Sequence, residues 1–287
     1  MRTVGIISKP RKEEIARVVP PLLDWLRQRN LEVLYDEETA ACLGQPPGAG
    51  GLRREELAGR VNLLVVLGGN GTLLATARAL SDYDVPILPV NLGGLGFLTS
   101  VTLGELYPIL EQALAGQHRI SKRMLLQAEI IRGGKPVEQL RALNDAVLNK
   151  AALARMIEFD LHIDALYVCS FRADGLILST PTGSTAYSLS AGGPIIYPVL
   201  DAFVITPICP HTLSNRPLVV PDSCRMEVDF HAGEEPVYLT MDGQVGLQLE
   251  AGDRVAVARA ATTLRLVRPT RKTYFEILRT KLKWGER

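Results

Sequence analysis

Val61-Asn62-Leu63-Leu64-Val65-Val66-Leu67, followed at once by Gly68-Gly69-Asn70-Gly71-Thr72, is the passage that decides the fold. A continuous apolar run of this length suits a strand buried on both faces of a parallel sheet. The glycine-rich turn and the helix-forming stretch Leu73–Leu80 complete a strand–turn–helix unit. Upstream, Thr3–Ser8 is a short β-branched run, and Leu31–Tyr35 reads as a second strand. Between them Arg11 to Arg29 is helical in pattern, and Pro20-Pro21 should break or kink it. Gly44 to Gly51 (GQPPGAGG) is a loop by composition. Downstream, Pro86–Val90 is another strand, and Leu103–Ala115 is a helix with apolar positions 103, 106, 109, 110 and 114 on one face. The alternation predicts an α/β domain with an open, Rossmann-like sheet over residues 1–118.

After about residue 120 the pattern changes. Short strands dominate: Leu125–Arg132, a Gly133-Gly134 turn, Arg155–Ile163, Asp174–Ser179, Phe203–Thr206, Pro217–Val220, Arg225–Phe230, Val237–Met241 and Val255–Ala258. One helical insert, Ser184–Ala191, is bounded by glycines. This predicts a mostly-β domain over residues 119–268. The tail 269–287 returns to helix at Tyr274–Lys283, with Phe275, Leu278 and Leu282 on one face, and is expected to pack back on the first domain.

The chain has 287 residues, 32 Lys+Arg against 31 Asp+Glu, and is 47% hydrophobic. Balanced charge supplies no bulk pull toward nucleic acid or an anionic membrane. The apolar fraction excludes disorder of the whole chain. The cysteines at 42, 169, 209 and 224 form no C-x-x-C pair, so neither a zinc knuckle nor a redox motif is visible. The histidines at 118, 162, 211 and 231 show no metal-ligand spacing. The N-terminal apolar stretch Val4 to Ile7 is too short for a signal peptide, and no run approaches the ~20 residues of a membrane span. A soluble, cytoplasmic protein is expected.

Three passages have the composition of a binding site. Gly68-Gly69-Asn70-Gly71-Thr72 sits at a strand end, where open α/β sheets bind ligands, and its glycines let backbone approach a phosphate closely. It is neither a Walker loop nor a G-x-G-x-x-G fingerprint. Asn91-Leu92-Gly93-Gly94-Leu95-Gly96-Phe97-Leu98 follows the next strand; a second such turn on one sheet edge suggests a shared crevice, with Phe97 able to stack on a base. The longest is Asp174 to Pro194 (DGLILSTPTGSTAYSLSAGGP), where a strand delivers the hydroxyls of Thr182, Ser184 and Thr185 to the start of a short helix. That is more than capping requires, which favours a polar ligand. Asn144-Asp145 interrupts an apolar stretch, and Asp242-Gly243-Gln244 follows the strand VYLTM; each also reads as a simple turn.

From about Val61 to the C-terminal region the chain resembles the NAD kinases. The resemblance rests on the strand-end glycine loop, the N-x-G-x-x-G-F-L run, Asn144-Asp145, the Asp174–Pro194 block and Pro207–Pro217 (PICPHTLSNRP). It implies transfer of the γ-phosphate of ATP to the 2′-hydroxyl of the adenosine ribose of NAD, making NADP. It implies the two-domain fold already read, an active site between the domains, and a homodimer or homotetramer. Carried onto this chain, Gly68, Gly69, Gly71 and Thr72 would approach phosphates. Gly71, Phe97, Asn144, Asp145, Asp174, Thr182, Thr185, Ala186, Tyr187 and Ser190 would contact NAD, with Asp242 and Gln244 nearby. ATP would arrive with Mg²⁺ or another divalent cation and no dedicated protein metal site. Nucleic acid and membrane are not expected partners.

One position departs from the resemblance. The family's loop reads G-G-D-G-T, and its aspartate is the candidate base for the ribose hydroxyl; here the residue is Asn70. A carboxamide cannot take a proton at neutral pH. The expectation is an enzyme inactivated or impaired at this position, by design or by natural variation. The alternatives are a non-catalytic NAD(P)-binding protein or sensor, and a kinase for another hydroxyl, since G-G-D-G is shared with lipid kinases and phosphofructokinases.

Overall fold

The computed structural model describes residues 3–9, 13–46, 48, 50–80, 82–94, 96–150, 156–212, 214–231, 236–269 and 273–285. Arg11 of the expected first helix, Pro47 and Ala49 of the composition-predicted loop, Leu95 of the second glycine run, Arg155 of an expected strand and Leu213 lie outside these. The chain forms two compact units, Met1–Lys122 with Leu264–Arg287, and Arg123–Thr263.

The first unit is a parallel sheet with helices. Strand β1 (Thr3–Ser8) pairs with β2 (Glu32–Tyr35) and with β3 (Leu63–Leu67). Next to β3 lies β4 (Pro86–Asn91), which pairs with the short β5 (Val101–Thr102). Every residue of β1 and β3 is buried, as a parallel strand covered on both faces requires. The helices are α1 (Glu13–Arg27), α2 (Glu37–Cys42), α3 (Arg54–Ala58), α4 (Asn70–Ala79) and α5 (Leu106–Leu114). Ile15, Val19, Leu22 and Leu26 of α1 share one core with Val4, Ile6, Val65 and Leu88 of the sheet.

Two expectations fail here. Helix α1 runs unbroken through Pro20 and Pro21. Both prolines are exposed, so water can satisfy the carbonyls that lose their donors, while the opposite face stays buried. Helix α4 begins at Asn70 and not at Leu73, with Gly69 as an extended N-cap. Three of the loop's five residues, Asn70, Gly71 and Thr72, thus form the first helical turn.

The second unit is antiparallel. Its strands are β6 (Arg119–Arg132), β7 (Lys135–Ala142), β8 (Asp145–Lys150), β9 (Ile157–Ile163), β10 (Leu166–Ala173), β11 (Gly175–Ser179), β12 (Ala202–Ile208), β13 (Leu218–Pro221), β14 (Met226–His231), β15 (Val237–Met241), β16 (Val245–Leu249) and β17 (Arg254–Arg268). One sheet runs β13-β12-β11-β8-β15-β16. Another set pairs β10, β9, β14 and the first part of β17. A single apolar core, including Phe159, Phe203, Leu148, Leu176 and Leu239, draws on both sets. The β6–β7 hairpin turns on Gly133 and Gly134, whose φ of 57° and 77° suit a two-residue turn that other side chains resist.

The pattern underestimates this unit. Strands β7, β8, β10 and β16 were not expected: β7 and β10 are largely exposed, β8 lacks clean alternation, and β16 is only five residues long. Strand β17 far exceeds Val255–Ala258, and its last part, from Leu264, belongs to the first unit, where Arg265 and Leu266 pair in parallel with β4. The expected helix Ser184–Ala191 is two pieces, a 3₁₀ turn Gly183–Thr185 and α6 (Tyr187–Ser190), parted at Ala186 (φ −104°, ψ −127°). The tail helix α7 (Tyr274–Leu282) belongs to the first unit. Leu278 is buried as expected, together with Ile277, whereas Leu282 is half-buried and Phe275 is 60% exposed, so the buried face is turned away from Phe275.

Candidate active site

In the first unit the glycine loop is built by close approach. A Cβ on Gly68 would run into the Thr72 side chain, and one on Gly96 into Asn70 Oδ1 and Thr99 Oγ1. The two glycine runs therefore touch at Gly96 and Asn70, although only the first of them lines the cleft beside the loop. Thr99 Oγ1 donates to Asn70 Oδ1 at 3.3 Å and accepts from Asn91 Nδ2 at 2.8 Å. Asn91 also donates to Gly94 O at 2.6 Å and accepts from the Gly93 N–H at 2.8 Å, which closes the second run on itself. A carboxylate at position 70 would accept the Thr99 hydrogen bond equally well.

A cleft of about 320 Å³ opens beside the loop, lined by Lys9, Glu38, Arg54, Gly69, Gly71, Thr72 and Ala75. The first turn of α4 lines it, so the helix dipole favours an anion there. Phe97 is half-buried and does not line it. Lys9, Glu38 and Arg54 carry the cleft's charges, and no local motif marks them. Asp36, fully buried, accepts from the Thr39 N–H at 3.0 Å as the cap of α2 and from Arg54 Nε at 3.0 Å. Burial pushes the Asp36 carboxyl up to about 6, with its Glu38 neighbour adding and Thr39 and Arg54 opposing. Glu38 lies lower than usual: burial works against this, and the hydrogen bond with Asp36 and the Arg54 charge outweigh it.

In the second unit a cavity of about 290 Å³ is lined by Asn144, Asp145, Val147, Asn149, Ala186, Tyr187, Thr240, Asp242 and Gly243. Asp242 is more than a turn residue. It sits at φ 53°, and its carboxylate accepts from the N–H groups of Asn144 (2.7 Å), Leu143 (3.2 Å) and Asp145 (3.4 Å). Its own N–H donates to Asp145 O at 3.0 Å. This clamp holds Asp145 at the cavity wall, where it is 4% exposed. Burial first, and the Asp242 charge second, push the Asp145 carboxyl up to about 7.

The Asp174–Pro194 block is stitched to the same segment. Thr180 donates its N–H to Asn144 O (2.9 Å) and its hydroxyl to Leu143 O (2.6 Å), and Ser179 Oγ donates to Asn144 O at 3.2 Å. Not every hydroxyl is offered to a ligand. Ser184 Oγ, buried, donates to Pro181 O at 2.7 Å and accepts from the Ile196 N–H at 2.9 Å, which corrects its reading as a binding group. Thr185 Oγ1 donates to Thr182 O at 3.3 Å, while Thr182 Oγ1 is buried without a partner among the described residues. Asp174 holds Lys150 Nζ at 2.8 Å.

The cavity thus gathers Asn144, Asp145, Ala186, Tyr187 and Asp242; Asp174, Thr182, Thr185, Ser190 and Gln244 do not line it. It adds Val147, Asn149 and Thr240. Asp145, Val147 and Asn149 alternate along β8, and Thr240 pairs with Val147 from β15. A period of two would have found them had β8 been recognised.

Residues 4–118 match the ATP-NAD kinase N-terminal domain, and residues 143–269 match the ATP-NAD kinase C-terminal domain. The chain is 51% identical over 287 residues to an NAD kinase of Solibacter usitatus, covering all of this chain and 99% of that one. This chain belongs to the NAD kinase family. An NAD kinase of Geotalea daltonii is 48% identical with full coverage of both chains. The crystal structure of yeast NADH kinase complexed with NADH superposes at a TM-score of 0.90, with 26% identity, over all of this chain and 89% of that one. An Archaeoglobus fulgidus NAD kinase, solved in complex with ATP, shares the fold at a TM-score of 0.76 and 23% identity over 98% of each chain. The glycine runs lie within the N-terminal match and the Asp145 cavity within the C-terminal one. Among the described residues no helix is long and apolar enough to cross a membrane.

Proposed function

We propose that this NAD kinase family member binds NAD and ATP for transfer of the γ-phosphate to the 2′-hydroxyl of the adenosine ribose, with turnover impaired by Asn70. The observation that carries this reading is the Asp242 clamp, which fixes Asn144 and Asp145 at a polar cavity in a chain 51% identical to an NAD kinase. The names of its relatives support NAD, NADH or ATP as ligands.

In this reading the donor triphosphate engages Gly69, Gly71 and Thr72, where backbone can approach it closely. Mg²⁺ would be carried by the triphosphate, where it would supply charge neutralisation. NAD contacts Asn144, Asp145, Ala186 and Tyr187, with Phe97, Asp174, Thr182, Thr185 and Ser190 as further contacts and Asp242 as the residue that positions Asp145. A base at position 70 would take the ribose hydroxyl proton as its oxygen attacks the γ-phosphorus and ADP leaves. Asn70 cannot do so, and loss of a general base costs about 10²–10⁴-fold in rate. The protein works in the cytoplasm as a homodimer or homotetramer, which sedimentation of the purified chain tests.

The second reading is a non-catalytic NAD(P)-binding protein, favoured by the carboxamide of Asn70 engaged with Thr99 in an intact loop. One assay separates the two. NADP formation is measured for fresh protein, aged protein and Asn70→Asp, with mass spectrometry of the loop peptide because Asn70-Gly71 can deamidate. Activation by about 10²–10⁴-fold in the Asp form is expected. An Asp form no faster than fresh protein, with NAD still bound in calorimetry, makes it a binding protein. No binding of NAD or NADP removes the NAD kinase reading.

A further inference from the structure

Arg54 stands between two carboxylates of unequal standing. Asp36 is fully buried and holds Arg54 Nε at 3.0 Å. Glu38 is 41% exposed at its side chain and meets Arg54 Nη2 at 3.3 Å. Only the second contact faces the cleft, which Glu38 and Arg54 line together with Lys9, Gly69, Gly71 and Thr72. A guanidinium has five donors in a planar fork, so one edge can stay anchored while the other exchanges partners. An ion pair whose carboxylate is partly open to water is weaker than a fully buried one and gives way to a multiply charged, bidentate anion.

We propose that Arg54 receives a phosphate of the donor nucleotide: Asp36 aims it, and Glu38 occupies its cleft-facing edge until the polyphosphate displaces it. This rests on the NAD kinase reading and adds a donor-binding residue outside the glycine loop. Arg54 lies in the run Leu52-Arg53-Arg54-Glu55, where nothing in the local pattern separates it from a surface helix start. Its fixed aim comes from Asp36, which the fold brings from the end of β2. Lys9, just past β1, lines the same cleft, so a polyphosphate would meet two cations and the first turn of α4 together.

The test is calorimetry of MgATP and, as a probe without adenosine, of Mg-tripolyphosphate on the full chain, with NAD measured beside them. Arg54→Ala is expected to weaken both polyphosphate ligands by about tenfold or more and leave NAD unchanged. Arg54→Lys keeps a charge for Asp36 and loses the fork, so it should weaken them less. Glu38→Gln removes the competitor and should tighten them severalfold, a gain that shrinks in the Glu38→Gln, Arg54→Lys double variant because the two residues are coupled. Should Arg54→Ala unfold through the stranded Asp36, the lysine and glutamine variants decide. Unchanged MgATP affinity in Arg54→Lys together with no gain in Glu38→Gln overturns the proposal. So does an equal gain from Glu38→Gln whether Arg54 is present or not, which would be bulk charge alone. A chain that binds NAD but not MgATP also overturns it and leaves NAD recognition standing. A chain that binds neither removes the NAD kinase reading as well.

Discussion

Replacing Asp145 with asparagine should stabilise the second unit at high pH and leave it nearly unchanged in acid. Asp145 has its carboxyl pushed from 3.8 to about 7, by burial first and the Asp242 charge second. A raised carboxyl means that the folded state holds its proton after the unfolded chain has released it. Stability is therefore fully present below pH ~3.8, falls as pH rises toward 7, and levels off above. At 1.36 kcal/mol per pKa unit the whole fall is about 4 kcal/mol. The carboxamide in Asp145→Asn would carry no charge to desolvate. It brings donors that the cavity wall leaves partly unmet, which offsets about 1–2 kcal/mol. The net gain expected above pH 8 is thus about 2–3 kcal/mol, with a small loss below pH 5. The assay is urea unfolding of Asp145→Asn beside the unaltered chain from pH 5 to pH 8.5. Both tryptophans, Trp25 and Trp284, lie in the first unit, so the second is followed by far-ultraviolet circular dichroism of its strands. A stability difference that does not grow with pH would refute the argument, because it would mean that Asp145 ionises at no cost to the fold.

The same carboxyl predicts ligand behaviour: if NAD hydroxyls donate to ionised Asp145, NAD affinity should rise from pH 5.5 to about 7.5 and then flatten, and calorimetry of Asp145→Asn should lose that slope. At pH 8 Asp145→Ala should weaken NAD about 10- to 150-fold through loss of a charged hydrogen bond, whereas unchanged affinity would make Asp145 a structural residue. Asp242→Ala strands the N–H groups of Leu143, Asn144 and Asp145, so their hydrogen exchange should speed up and NAD affinity fall; protection equal to the parent would exclude the clamp. Gly183→Ala puts a Cβ into the Asn144 carbonyl, a backbone atom that cannot swing aside, and should cost about 1–3 kcal/mol or more in the urea midpoint of the second unit.

Much of this protein is written in local periodicity. The run Leu63–Leu67 is buried on both faces because a chain covered by helices on either side needs no polar residue there, and that is visible residue by residue. The strand–turn–helix around Gly68–Thr72, the change to a β-rich second half and the Gly133-Gly134 hairpin are legible for the same reason: each depends on neighbours within a few positions. Asn144 and Asp145 stand out as polar residues in an apolar stretch, and Tyr187 lies in a block whose length marks it. What tertiary structure decided is where distant segments meet. Asp242 reads as a turn until β8 and β15 pair and bring its carboxylate to N–H groups 98 residues back. Val147, Asn149 and Thr240 face the cavity only because that pairing sets which side of β8 is inward. Arg54 is one of many surface arginines until the end of β2 delivers a buried carboxylate beside it. Even the helix through Pro20-Pro21 survives on a contact no local rule contains, the burial of its opposite face against the sheet. Side-chain periodicity lies within a segment and is read from it, whereas the partner of a buried charge or a free N–H is chosen by strand order and register, which fix distances between residues far apart in the chain.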